Sequence, residues 1–280
     1  MKLFEIYNKK FSKQTVSEGG AMPGVGAIHI SEIEPTLSKL EKSLGINLKD
    51  FTLGSVGKRK FSGDIDVAIN LKPEDLPAFA EKLSKDPNVL DVQKSSVFMT
   101  KVKIENFDKE KSDGRPRTGF VQIDFMPGDP GWMKTYYHSP TEEESKYKGV
   151  FRNLLLASIA GQLDRKSSDE TTEDGRPLQQ DRWMFSPRDG LVRVRRTPVQ
   201  NKAGTGYTKK NNNKIISKPN RDGESITKAL KLNSVADLNS YESLKAAIEK
   251  NYPAELVKRI LKDFVSNPTV QDIGIPGDLK

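Results

Sequence analysis

Leu53-Gly-Ser-Val-Gly-Lys-Arg-Lys-Phe-Ser-Gly-Asp-Ile-Asp-Val-Ala-Ile-Asn-Leu71 decides how the rest of the chain is read. A Gly-Ser step and a basic stretch come first. Asp64 and Asp66 then stand one residue apart at the head of an apolar run. Side chains alternate across a β-strand, so residues i and i+2 share a face. Ile65, Val67 and Ile69 are therefore expected to pack inward while both carboxylates point to the other side. Two carboxylates this close repel unless something cationic sits between them. A divalent metal is the simplest answer, because hard oxygen ligands suit Mg²⁺ and Mn²⁺.

A third carboxylate stands in Val121-Gln-Ile-Asp-Phe-Met126, where Asp124 lies between apolar Ile123 and Phe125. A buried carboxylate is costly without a cationic partner. If its strand lies beside the Asp64 strand, three carboxylates converge in a two-metal phosphoryl-transfer arrangement. An Asp-x-Asp pair alone is equally the mark of a solvated loop or an ion-paired strand end. The upstream turn adds to it. Gly54 lets the backbone approach a ligand, exposed N–H groups can cradle phosphate oxygens, and Ser55 offers a hydroxyl. Lys58, Arg59 and Lys60 supply positive charge beside a triphosphate. As residues alone they read equally well as a solvated basic turn.

The order hydrophobic-Gly54-Ser55, a short linker, Asp64-Ile-Asp66-Val, then a distant strand-borne Asp124 resembles the nucleotidyltransferase superfamily of the DNA polymerase beta type. The helix expected just upstream belongs to the same resemblance, which spans about residues 31–130. It implies that Gly54 and Ser55 form the phosphate-binding turn and that Asp64, Asp66 and Asp124 are catalytic and hold Mg²⁺ (or Mn²⁺). It also implies that Asp124 helps activate the acceptor hydroxyl. Two features depart from the family pattern: the stretch from Ser55 to Asp64 is short, and Arg59 stands as a single arginine between two lysines. Asp129, in the loop Gly128-Asp-Pro130, is a weaker competitor for the third carboxylate.

Composition limits the alternatives. The chain has 280 residues, enough for one large or two modest domains. It has no cysteine and only His29 and His138, which excludes disulfides, thiolate zinc sites and a Cys nucleophile, and disfavours a histidine-built metal site. No apolar run reaches the about 18 residues of a membrane span, and Met1 to Phe11 lacks a signal-peptide apolar core, so a cytoplasmic location is expected. The net charge of +8 favours polyanionic partners, nucleotides and nucleic acid first.

The expected fold is α+β: a nucleotidyltransferase-type mixed β-sheet with flanking helices, a basic hairpin and a helical C-terminal region. The divisions are 1–30, irregular; 31–165, catalytic core; 166–224, basic loop and hairpin; and 225–280, helical. Glu18 to Gly26 is glycine-rich and reads as a flexible turn or as a loop over substrate. A helix is predicted from Ser31, with Glu34 as its capping partner, to Leu44, ended by Gly45. Strands are predicted at 51–53, 64–71, 89–92, 96–104 and 119–126, and a helix at 73–83. A long helix is predicted from Pro140 to Leu163, a polar linker over 164–182, and a hairpin over 183–198 turning at Asp189-Gly190. Two or three helices follow over 225–267, then an extended tail.

The acceptor must be sought in the C-terminal half. Arg188, Arg193, Arg195 and Arg196 crowd the hairpin with Trp183 and Phe185, and Lys209 and Lys210 follow in a basic stretch. Basic residues interleaved with aromatics suit phosphate contacts plus base stacking, though an exposed solubilising loop has the same composition. Lys146, Lys148 and Arg152 are placed at the edge of the presumed site, or on a solvated helix face. The leading expectation is transfer of a nucleoside monophosphate from an NTP or dNTP to a nucleic-acid 3′ end. A small-molecule or protein hydroxyl as acceptor, and an inactive nucleic-acid-binding module, are the alternatives. Tyr136 and Tyr137 are candidates for a gate against the 2′-hydroxyl.

Overall fold

The computed structural model describes residues 22–94 and 97–280. The chain divides into two compact units, Met1–Gly149 and Val150–Lys280. The predicted turn at 18–21 and the strand start at Ser96 lie outside the described residues.

In the first unit β1 (Ile28–His29) pairs with β2 (Phe61–Ser62) and leads straight into α1 (Ile30–Leu44). The helix starts one residue earlier than predicted because His29, not Ser31, caps it. The His29 ring accepts from Ser31 N, and Glu32 rather than Glu34 accepts from His29 N at 3.0 Å. Gly45 ends it in the left-handed region, as expected. Residues 49–51 form a short 3-10 turn instead of a strand, leaving one bridge from Thr52 to Val67.

The main sheet holds β3 (Asp64–Ile69), β4 (Val89–Lys94), β5 (Phe98–Lys103) and β6 (Phe120–Pro127) in the order β3-β6-β5-β4. The β3–β6 pair is parallel and the other two pairs are antiparallel, so the sheet is mixed. One face is apolar. Ile65, Val67, Ile123, Phe125, Phe98 and Val102 meet Ile33, Leu37, Leu40 and Leu44 of α1, together with Phe79 and Leu83 of α2 (Leu76–Lys85). The period-2 and period-3.6 patterns read in the sequence thus meet in one core. This burial leaves the other face of β3 and β6 to the polar residues.

A helix absent from the sequence reading, α3 (Pro130–Tyr136), follows β6 directly. Its N-cap is Asp129, whose carboxylate accepts from Gly131 N and Trp132 N. The predicted helix from Pro140 begins only at Gly149, as α4 (Gly149–Gln162). Thr141 and Glu144 do bond each other as a capping box, but they close a single turn. The carbonyls flanking that turn, at Ser139 and Ser145, are taken by Lys58 and Arg59.

The second unit carries an antiparallel sheet in the order β10-β9-β8-β7. Its strands are β7 (Lys166–Ser167), β8 (Gln180–Ser186), β9 (Gly190–Gln200) and β10 (Tyr207–Ile215). The β8–β9 hairpin and its turn match the reading. The linker expected over 164–182 contains β7, and the basic stretch after residue 200 contains β10. Helices α5 (Gly223–Ala229), α6 (Tyr241–Asn251) and α7 (Ala254–Val265) supply the helical region. The tail expected to be extended forms α8 (Pro268–Ile273), capped by Asn267 with Pro268 at its first position.

Candidate active site

The polar face of the main sheet is built by strand register. Asp66 stands directly opposite Asp124 across the parallel β3–β6 pair, and Asp64 opposite Gln122. Neighbouring strands lie about 4.8 Å apart, so the three aspartates share one small patch of one face. Asp124 is 2% exposed, and its carboxylate accepts from the Gln122 amide at 2.7 Å. Gln122 in turn accepts from Met22 N at 3.0 Å. The described end of the glycine-rich segment is thus packed against the sheet, with Gly26 N bonded to Phe120 O. Met99 stands opposite Asp124 and Lys101 opposite Gln122 on the antiparallel side. Gln122 is an addition to the site that sequence reading missed, whereas Lys101 Nζ donates to Pro23 O at 3.2 Å. The i−2 spacing of Gln122 from Asp124 was the available signal.

Toward the C-terminal ends of β3 and β6 the same face turns apolar. Ala68 and Met126 pack with Leu53 and Met133, and Tyr137 lies against them. Leu53 N donates to Asp66 O at 2.8 Å, which fixes the Gly54-Ser55 turn beside the strand that carries the aspartates. Gly54 adopts φ +65°, a conformation that favours glycine, and nothing lies within 4 Å of where its Cβ would be. The turn therefore presents open backbone.

The cations expected near a triphosphate divide. Lys58 Nζ donates to Ser139 O at 2.6 Å, and Arg59 bonds Glu142 at 3.2 Å and Ser145 O at 3.4 Å. Both are held by the segment after α3. Lys60 is exposed, and its carbonyl accepts from Ile30 N. Lys148, placed by sequence at the edge of the site, feels the Asp64 charge. Its ammonium is held below its ordinary value by desolvation first and by Arg115 and Arg59 next, while Asp64 and Glu142 pull it up. Arg152, by contrast, is 2% exposed and bonds Leu238 O and Asn153. Its burial removes it from any solvated face. Tyr136 is buried against Trp132 and Tyr137.

A divalent ion suits this donor set in kind, since all three carboxylates are hard oxygen donors on one face. As placed, no three Asp, Glu or His side chains among the described residues close around a common point. Asp129 caps α3 through Oδ1, whereas Asp124 stands in the strand beside Asp66.

No family model matches the chain, and no curated protein matches it. Among solved structures it is similar to Leishmania infantum polymerase beta, described as a ternary P/T complex. Identity is 10%, the match covers 81% of this chain and 77% of that one, and the TM-score is 0.35. At that TM-score the likeness adds nothing to what the strand register shows. Among the described residues no helix is long and apolar enough to cross a membrane.

In the second unit the six basic residues singled out by sequence fall into different settings. Arg188 is exposed and paired with Asp189 at the hairpin turn. Arg195 forms a two-pronged pair with Asp181, both bonds 2.9 Å. Arg193 lies over the Trp183 ring at 5.1 Å and donates to Asp164 O. Arg196 is on the opposite face of β9. Lys209 and Lys210 are exposed on β10.

Proposed function

We propose that the chain is a metal-dependent nucleotidyltransferase. It moves a nucleoside monophosphate from an NTP or dNTP to the 3′ end of a nucleic acid. The observation that carries this reading is the pairing of Asp66 with Asp124 in adjacent strands, with Asp64 on the same face and the Gly54-Ser55 turn bonded to the Asp66 backbone. The mixed sheet with helices on its apolar face agrees with the motif order that resembles the polymerase beta superfamily.

Asp64, Asp66 and Asp124 would hold Mg²⁺ or Mn²⁺, which supplies Lewis-acid stabilisation of the triphosphate and lowers the pKa of the acceptor hydroxyl. Gly54 and Ser55 would orient phosphate oxygens through backbone N–H groups and a hydroxyl. Lys148 and Arg59 would balance negative charge at the Asp64 end. Asp124, buried beside Gln122, is the carboxylate best shielded from water and the one assigned to the acceptor proton.

The test incubates the protein with Mg²⁺ or Mn²⁺, labelled NTPs and dNTPs, and single-stranded, primed and hairpin DNA or RNA. Extension of a 3′ end supports the reading. Labelled small-molecule or protein product without extension overturns the acceptor and keeps the chemistry. Asp64→Asn and Asp66→Asn should each abolish transfer with the fold intact, and activity in either variant refutes the carboxylate assignment.

A further inference from the structure

Four arginines of the second unit gather on one face of its sheet, the face opposite the Arg195–Asp181 pair. Arg182 of β8 and Arg196 of β9 lie on this face, because Gln180 pairs with Arg196 and Arg182 with Val194. The Gln180 amide faces Arg165, just before β7, and with its oxygen turned to the guanidinium it accepts from Nε at 2.9 Å and Nη2 at 2.8 Å. The Asn211 amide of β10, turned in the same way, accepts from Arg196 Nη2 at 2.7 Å and Nε at 3.2 Å. Arg176, in the 172–176 turn, donates to Thr208 O at 2.8 Å.

Asp174 pairs with Arg176 at 2.8 Å, and Asp263 of α7 attracts Arg182 without forming an ion pair among the described contacts. Among the described residues Arg182 Nε and Arg176 Nη1 are buried with no hydrogen-bond partner. Burial, followed by the neighbouring guanidiniums, pulls Arg182 and Arg196 below the ordinary arginine value. Like charges this close, partly desolvated and with donors left over, destabilise the free protein and are relieved by a bound anion.

We propose that Arg165, Arg176, Arg182 and Arg196 form a binding site for consecutive phosphodiester groups of a nucleic-acid strand. The guanidinium fork matches phosphate oxygens in paired hydrogen bonds. Each guanidinium carries five donors, and Arg165, Arg176 and Arg196 each direct two at protein oxygens, so the four, spread over two strands and two flanking segments, still offer more than a single phosphate can accept. Gln180 and Asn211 orient two of the forks from the sheet itself. Binding here does not depend on the aspartate site, and the strand is held whether or not transfer occurs.

The test uses the full chain and a fluorescein-labelled single strand, as DNA and as RNA, followed by anisotropy from low to moderate salt. Arg182→Gln with Arg196→Gln should weaken binding about a hundredfold, at about tenfold per lost charged contact. The same pair should flatten the log–log salt slope by about 1.4, at about 0.7 per phosphate on single strands. Lys250→Gln with Lys258→Gln removes the same charge from exposed positions of α6 and α7 and should leave binding unchanged. Unaltered affinity and slope in the arginine variant overturn the proposal. Arginine-dependent binding of ATP or inorganic phosphate, with none of the strand, overturns the strand assignment. A second measurement uses the unaltered protein. Bound strand should protect the four arginines from phenylglyoxal, mapped by peptide mass, and a lack of protection at all four refutes the site.

Discussion

Arg117→Met tests how the first unit holds the sheet that carries the aspartates. Arg117 and Glu32 are 4% and 1% exposed at the side chain and face each other at 2.7 and 2.9 Å. Arg117 also donates to Ala27 O and Asp108 O, and Glu32 also accepts from Asp108 N and His29 N. The pair therefore ties the start of α1 to the segment that enters β6 and its Asp124. Removing the guanidinium leaves a buried carboxylate with only backbone donors, which costs about 3–5 kcal/mol. For a unit of this size that lowers the thermal midpoint by about 12–20 °C, taking about 4 °C per kcal/mol.

The pH dependence gives the sign. Burial pushes the Glu32 carboxyl up, but Arg117 and the two backbone donors outweigh it and hold it below the ordinary range. Its contribution is present above the unfolded value and is lost as pH falls through the lowered folded value. In Arg117→Met the folded value rises instead, so the penalty is present above that value and eases in acid. The difference between the two proteins should therefore begin to narrow as pH falls through the raised value of the variant, above the ordinary Glu range of about 4.5, and go on narrowing down to the lowered value of the unaltered protein. Urea unfolding at neutral and acid pH measures it. A neutral-pH difference under about 1 kcal/mol, or one that does not narrow, refutes the assignment; Glu32→Gln with Arg117→Met should recover part of the loss, because no buried charge remains.

Four further outcomes are expected. Asp124→Asn should abolish transfer with folding retained. Asp129→Ala should keep transfer and lose about 1 kcal/mol as an N-cap, and a silent but fully folded Asp129→Ala would reverse the two assignments. Asp64→Asn removes a charge that raises Lys148, so the Lys148 amine should titrate lower and label faster at fixed pH with an amine-selective reagent. An unchanged labelling rate would place Lys148 away from the carboxylates. Gly54→Ala meets no atom within 4 Å, yet its φ of +65° should cost about 1–2 kcal/mol in unfolding measurements. A neutral result would mean that the turn relaxes to another conformation.

Much of the first unit is legible because its signals are local. The alternation in Asp64–Ile69 and the stripe Leu37, Leu40, Leu44 each report a face that must be buried, and both faces meet in one core. Gly45 stops α1 where a left-handed residue was needed. The readings fail where a distant partner decides. Thr141 and Glu144 carry a valid capping pattern, but Lys58 and Arg59 hold the carbonyls around it, so α4 starts later. Tyr207–Ile215 shows no apolar alternation, since as an edge strand it needs only the backbone of β9 to pair with. Glu32 caps α1 where Glu34 was expected, because Arg117, far along the chain, pairs with it in a buried site.

The same division runs through the two sites. Residue spacing alone placed Asp64 and Asp66 on one strand face and named a glycine turn before them, because strand period and glycine backbone freedom are properties of a few adjacent residues. Bringing Asp124 beside Asp66, and setting Arg182 and Arg196 on the face away from Arg195, required strand pairing. Register is settled by which faces can be buried together, and shifting it by one residue would exchange the faces. No residue in either strand carries that information by itself.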